Sequence, residues 1–342
     1  MPVANDGPMP SAALPTSSRQ VLFSAPDVIE QTVTAIPEPG PHDALVRVAL
    51  VGICATDLHL LAGHIGDPFP LVPGHEFVGE IAAIGAEAAA ARGLAVGDHV
   101  AVEMLLPCRS CARCREGRYN LCEADDMALG LPRGRQYGVN IPRTVEPGLW
   151  GGYSEFLHVP AEAVTHRLPA SMPWTRAVLV EPLAVAGRAV ARGRVAPGDT
   201  VVVIGPGPVG ILTAAAARAA GAAKVVVVGT RDSRLALSRA FGADATLNSR
   251  DRDPVVGVRE LLGGQLADVV VEVAADGRWR LALPDPGRDA QDRADRPSAI
   301  APVLHHGRRG SGPVGHRRPV GAERGEQCAR QRLPVAHQLG SA

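Results

Sequence analysis

The chain has 342 residues, with 35 basic side chains against 35 acidic ones and a formal net charge of +0. That length accommodates two domains with separate cores, and the charge balance removes the electrostatic case for nucleic acid or a membrane surface. No apolar run reaches the roughly 18 residues of a spanning helix, and the first residues lack a signal peptide's basic start and apolar core, so the expected setting is the cytoplasm with reduced cysteines.

Residues 1–20, "MPVANDGPMPSAALPTSSRQ", read as a disordered Pro/Ser-rich leader. From 21 to 195 short strand-like runs alternate with Gly and Pro turns: "ALVRVALVGI", "HEFVGEIAAIG" and "GDHVAV". An irregular β-rich domain is expected there. Within it, "CRSCARCREGRYNLC" places Cys108, Cys111, Cys114 and Cys122 together, in a chain with only Cys54 and Cys328 besides. Four thiolates can enclose one zinc tetrahedrally, and a closed four-sulfur shell is the structural kind. A redox pair or a nucleic-acid zinc knuckle is the weaker reading, because the chain is neutral and the closing loop "REGRYNL" is short. "LGLPRGRQYGVNIPRTVEPGLW" (129–150) is expected to line the substrate entrance.

At Ala196 the pattern turns to alternating strand and helix. "TVVVIGPGPVGILTAAAARAAGAAKVVVVG" reads as strand, Gly-rich turn, helix and second strand, and "ADVVVEVA" (267–274) reads as a further buried parallel strand. Gly205, Gly207 and Gly210 form G-x-G-x-x-G at the strand-to-helix turn, the context in which glycines allow close backbone approach and the helix start receives a pyrophosphate. Pro208 and Val209 belong to the same turn.

The order of "GICATDLH", "PGHEFVGEIAAIG", the C-x2-C-x2-C-x7-C array, "GGYSEF" and "EPLAVAG" before that turn resembles the zinc-dependent medium-chain alcohol and polyol dehydrogenases, over roughly residues 21–283. The resemblance implies a GroES-like β-rich catalytic domain (21–195) followed by a Rossmann parallel-sheet domain (196–283). It implies two zincs per chain. The structural one is held by the four clustered cysteines, and the catalytic one by Cys54, His75 and one carboxylate, Glu76 or Glu181. It further implies that the Thr56 hydroxyl takes the alcohol proton and His59 releases it, with Asp57 holding a zinc-bound imidazole. In the family's register Gly229 stands where NAD-preferring members carry an acid. Thr230, Arg231 and Arg234 follow, and this favours NADP over NAD, although Asp232 could serve NAD. A small-molecule alcohol substrate and a homodimer or homotetramer complete the expectation.

Beyond Leu283 the pattern stops. Residues 284–342 hold ten Arg, eight Gly and seven Pro but no Phe, Trp, Tyr, Met or Lys, and Ile, Leu and Val are too few to bury a face. "WRLAL" (279–283) resembles the middle of the family's next helix, which Pro284 and Pro286 would end. GC-rich coding DNA read out of frame gives this composition, so a frame change near codons 280–285 is the expectation. A truncated Rossmann domain and a disordered tail would follow. The alternative function is then an inactive zinc-binding remnant with an unpaired sheet edge.

Overall fold

The computed structural model describes residues 14–124, 134–274 and 299–302. The first residues of the expected leader, "WRLAL", Pro284, Pro286 and Cys328 lie outside them.

The chain opens with a hairpin, β1 (Ser17–Ala25) and β2 (Val28–Ala35), which turns at Asp27 with φ +60°. Ser17 to Gln20 are therefore strand, not leader. Ser18 and Gln20 are buried, the Ser18 hydroxyl 2.9 Å from that of Ser154 and the Gln20 amide donating to Gly148 O at 2.8 Å. Tertiary partners for polar side chains overrode a polar composition.

Next come β3 (Ala44–Val51), α1 (Ala55–Leu61), β4 (Phe77–Ile84), α2 (Ala86–Arg92) and β5 (His99–Val102). The chain continues through β6 (Leu105–Leu106), α3 (Ala112–Arg115), β7 (Arg135–Gln136), β8 (Phe156–Val159), β9 (Thr165–Arg167) and α4 (Trp174–Ala177). The antiparallel sheet runs β8-β3-β4-β5-β9, with β6 paired to β7 beside it. Its core combines Phe77, Ile81, Val100, Leu106, Tyr137, Trp150 and Leu157, all buried. Tyr137 stacks edge-on to Phe77 with ring centroids 5.7 Å apart and donates its hydroxyl to His158 O at 2.9 Å. Tyr137, Val139, Ile141, Leu149 and Trp150 are thus core residues. The expected entrance segment is therefore mostly interior from residue 134 on, because an aromatic side chain gains more by burial than by lining a wet channel.

The second core holds α5 (Val180–Arg192), β10 (Thr200–Ile204), α6 (Pro208–Ala219), β11 (Lys224–Gly229), α7 (Asp232–Ala240), β12 (Ala245–Asn248), α8 (Pro254–Leu261), β13 (Val269–Glu272) and β14 (Ala299–Pro302). Its parallel sheet is ordered β12-β11-β10-β13-β14. Val201, Val203, Val225, Val227, Val269 and Val271 pack to one side with Ala189, Val190, Ala214 and Ala217. Val202, Ile204, Val226 and Val228 pack to the other with Leu247, Val258 and Leu262. Both faces are covered, which is why these strands read as unbroken valine runs. Ala189 and Val190 of α5 belong to this core, so it begins before Ala196.

The backbone of β14 pairs parallel with β13, Val269 opposite Ala299 and Glu272 opposite Pro302. This corrects the expectation that nothing beyond Leu283 forms a strand and that the β13 edge is bare. A parallel edge needs only backbone donors and acceptors, and a proline is tolerated at the end of an edge strand.

Candidate metal and cofactor sites

Both ends of α1 serve the site. Cys54 is its N-cap, and Asp57 in its first turn accepts the Cys54 backbone N–H on Oδ2 at 2.8 Å, so one carboxylate caps the helix and fixes the cysteine beside it. Asp57 is 2 % exposed and His75 is also 2 % exposed, with Oδ1 and Nδ1 facing each other at 3.5 Å. Neither of these atoms has a hydrogen-bond partner among the described residues. With Nδ1 turned to Asp57, the other ring nitrogen is the one left for a cation.

Cys54, His75 and Glu76 offer sulfur, nitrogen and oxygen atoms that all lie within 4.8 Å of one another. One thiolate, one imidazole and one carboxylate with an open fourth position is a donor set that suits zinc. Burial raises the Glu76 carboxyl above its ordinary value, against the opposing pull of His75. Burial works to lower His75, and Asp57 and Cys54 more than offset it, holding the imidazole well above its usual value. The two shifts report a site rich in buried anionic groups, which raise the imidazole and leave the Glu76 carboxylate under-compensated, the condition a divalent cation would relieve.

Glu181, on α5, stands outside this cluster. Desolvation raises its carboxyl to about 7, with His75 and Glu76 close enough to act on it. Of the two carboxylates left open by the sequence, the structure brings Glu76 within 4.8 Å of the Cys54 and His75 donors, and Glu181 is not in that group. Thr56 is buried, with Oγ1 3.6 Å from Cys54 Sγ. His59 lies one helical turn further along α1, and its Nδ1 is 3.4 Å from Nδ1 of the exposed His64.

Two residues of this site have no role assigned from the sequence. Gly52 leaves room for the Glu76 carboxylate: a Cβ there would sit 2.3 Å from Glu76 Oε2 and push it from its place. Tyr153 donates its hydroxyl to Asp57 Oδ2 at 3.0 Å, and burial, reinforced by that carboxylate, raises its pKa so that it stays a donor. The "GGYSEF" motif was the available signal for Tyr153. The spacing of Gly52 to Glu76 carries none, since the contact exists only after folding.

The four cysteines form the second cluster, their sulfurs within 4.8 Å of one another and Cys108 Sγ 4.0 Å from Cys114 Sγ. Backbone N–H groups point at them: Cys111 N to Cys108 Sγ at 3.3 Å, Cys114 N to Cys111 Sγ at 3.4 Å, and Cys108 N to Cys122 Sγ at 3.3 Å. The Ser110 hydroxyl and backbone N–H groups pull Cys108 down to about 6, while burial and Cys111 hold Cys114 up to about 12. Four sulfurs this close cannot all ionise without a cation between them, and Cys108, Cys111, Cys114 and Cys122 would hold a zinc that supplies that charge. The lobe is tied to the sheet by Tyr119, whose hydroxyl donates to Glu103 Oε1 at 2.9 Å.

In the second core, Gly205 has φ +102° and a Cβ there would meet Ala274 N at 2.9 Å, while a Cβ at Gly210 would overlap Gly205 O at 1.9 Å. A Cβ at Gly207, the N-cap of α6, would meet nothing within 4 Å, so the helix start opens onto free space. Pro208 is the first residue of that helix, and the Val209 carbonyl accepts the Thr213 hydroxyl at 2.8 Å. Gly229 ends β11 against Pro206, whose Cδ would lie 2.3 Å from a Cβ, so no acid fits there. Asp232 is engaged by Asn248 Nδ2 at 2.8 Å. Thr230 is half-buried, and Arg231 and Arg234 are exposed beside it. No helix among the described residues is long and apolar enough to cross a membrane.

Residues 40–170 match the alcohol dehydrogenase GroES-like domain, and residues 208–283 match the zinc-binding dehydrogenase domain. A protein named "Probable alcohol dehydrogenase adh" from Mycobacterium tuberculosis is 42% identical over 261 residues, 75% of this chain and 69% of the relative. This chain belongs to the zinc-binding alcohol dehydrogenase family. The erythritol/L-threitol dehydrogenase of Mycolicibacterium smegmatis is 35% identical over 272 residues, 77% of this chain and 71% of that one. A solved zinc-binding dehydrogenase from Sinorhizobium meliloti, bound to NADP, superposes with a TM-score of 0.67 at 30% identity, covering 76% of this chain and 71% of the other. The GroES-like and Rossmann reading of the fold holds, and the family match ends at residue 283, directly before Pro284.

Proposed function

We propose that the chain is a dehydrogenase that transfers hydride between a secondary alcohol or polyol and NAD(P), with one zinc at Cys54, His75 and Glu76 and a second, structural zinc at the four cysteines. The observation that carries this is the buried Cys54–His75–Glu76 cluster backed by Asp57. When bound, zinc supplies Lewis acidity that stabilises negative charge on the alcohol oxygen, and the nicotinamide supplies the hydride acceptor.

The chain's own residues do the rest. Asp57 orients the His75 ring. The Thr56 hydroxyl accepts the alcohol proton as it passes its own on, and the His59 imidazole delivers a proton to solvent. Glu181, raised by desolvation to about 7, is the further carboxyl near the cluster, available to the metal site from α5. Gly205, Gly207, Pro208, Val209 and Gly210 admit a pyrophosphate to the start of α6. Thr230, Arg231 and Arg234 favour a ribose 2′-phosphate, hence NADP, with support from the NADP-bound relative. Polyol preference draws on the relative named for erythritol and L-threitol. The cytoplasm, where thiolates stay reduced, is the proposed setting, and a homodimer or homotetramer the proposed assembly.

The deciding experiment is Cys54→Ser, assayed for metal content and for polyol-dependent reduction of NADP. The expected result is a fall from two zincs to one, with turnover lowered by at least about 10³-fold and no loss of fold. Unchanged turnover, or loss of both metals together, would overturn the two-site reading.

A further inference from the structure

Tyr153 bridges the two segments that carry the cluster. Its hydroxyl donates to Asp57 Oδ2 at 3.0 Å, on the Cys54 side. Its backbone N–H donates to Pro73 O at 2.9 Å, and the Gly152 N–H donates to Gly74 O at 2.7 Å, on the His75 side. The ring itself lies over Gly74, where a Cβ would approach Cδ1 to 2.5 Å and φ is +92°. One residue before His75, the backbone is thus shaped to receive this ring.

Asp57 is buried and could turn about its own side chain. It is held at Oδ2 by two donors, the Cys54 N–H at 2.8 Å and the Tyr153 hydroxyl, which leaves Oδ1 as the oxygen facing His75 Nδ1 at 3.5 Å. The helix-capping donor alone fixes one point of the carboxylate. The phenol adds a second donor to that same oxygen from another direction, which fixes how the carboxylate is turned and leaves Oδ1 toward the imidazole. A phenylalanine would fill the space over Gly74 equally well, so packing does not account for the hydroxyl.

We infer that Tyr153 is a positioning residue of the catalytic metal site: by locking the Asp57 carboxylate, its hydroxyl sets the His75 ring and so controls how tightly and in what geometry the cation is held. This rests on the reading of Cys54, His75 and Glu76 as that site.

The test uses the full chain loaded with two zincs, comparing Tyr153→Phe with the parent. Zinc release into a chromophoric chelator should show two phases. The phase that disappears in Cys54→Ser should quicken about 10–100-fold in Tyr153→Phe, and the four-cysteine phase should keep its rate. With cobalt in place of zinc, the visible ligand-field bands of the same site should shift. In an Asp57→Asn background the added Tyr153→Phe change should alter release by less than about twofold, because the link it cuts is already gone. Parent-like release and spectra in Tyr153→Phe would overturn the inference while leaving the site reading intact. A full-sized effect that persists in Asp57→Asn would also overturn it, as the hydroxyl would then act by another route. A parent that binds a single zinc would overturn the site reading, and the inference with it.

Discussion

The two metal clusters of this chain are built in opposite ways. The four-cysteine lobe draws every donor from residues 108–122 and aims neighbouring backbone N–H groups at its sulfurs, with Cys122 the only buried cysteine of the set. The Cys54–His75–Glu76 cluster takes its donors from a helix N-cap and a distant strand approach, with Asp57 behind them and a link from Tyr153. In the lobe, little apolar surface is available, so a cation held there would stand in for a core. In the other cluster the core brings the donors together without one, and a cation held there would be free for chemistry. Removing the metal should therefore cost folding in the first case and activity in the second.

The largest expected effect follows from that contrast. Cys111→Ser removes a sulfur that receives two backbone N–H groups, from Cys114 and Glu123. The lobe should lose its zinc and the protein at least about 4 kcal/mol of stability, read as a melting temperature about 8–16 °C lower. Cys54→Ser should lower it by less than about 4 °C. Equal losses in the two variants would break the distinction.

How much of each cluster was legible follows the same line. The lobe could be read whole, because its spacing is local and metal geometry constrains it directly. Cys54, Asp57, His75 and Glu76 could be ordered by resemblance, but the choice between Glu76 and Glu181 waited on the fold, since it depends on how α5 meets the first core. Gly52 and Tyr153 act only through tertiary contacts, 2.3 Å from a Cβ to Glu76 Oε2 and 3.0 Å to Asp57, that no spacing encodes. The valine runs announced a two-faced parallel sheet, whereas the Pro/Ser-rich leader concealed the start of β1 and the Arg-rich tail concealed the backbone pairing of β14. Composition reports what a segment can bury, and edge pairing needs only its backbone. The shift in composition at Pro284 and the end of the family match at residue 283 coincide.

A second effect, of intermediate size, separates the cation's charge from its ligands. Glu181 keeps its proton to about pH 7 in the folded protein, while in the unfolded chain a glutamate loses it near pH 4.3. Between those values the folded state binds more protons, so stability falls as pH rises and the loss is complete above the folded pKa. In the Cys54→Ser chain, which retains only the lobe zinc, urea unfolding at pH 5 and pH 8 should differ by about 1–2 kcal/mol from this group, allowing for solvent screening of a half-buried carboxylate. Adding Glu181→Gln should flatten the slope. Restoring Cys54 and its zinc should shrink it as well, because a nearby divalent cation favours the carboxylate. A slope indifferent to Glu181→Gln would place the burden on other groups.

The smallest effect concerns the second core, where the proposed cofactor preference rests on Gly229. Gly229 cannot carry an acid, because a Cβ would strike Pro206 at 2.3 Å, and the nearby Asp232 is held by Asn248. The exposed Arg231 and Arg234 lie beside the end of β11, where the proposed 2′-phosphate would sit. Arginine meets phosphate with paired N–H donors, but an exposed pair works against salt and solvent, so each contributes modestly. Arg231→Ala with Arg234→Ala should raise KM for NADP about fivefold, leave KM for NAD within about twofold, and change kcat little. That gap should narrow as ionic strength rises from 0.05 to 0.5 M, since the screening length falls with it. A rise in KM for both cofactors would mean that the arginines serve the turn itself, and a rise for NAD alone would hand the ribose to Asp232.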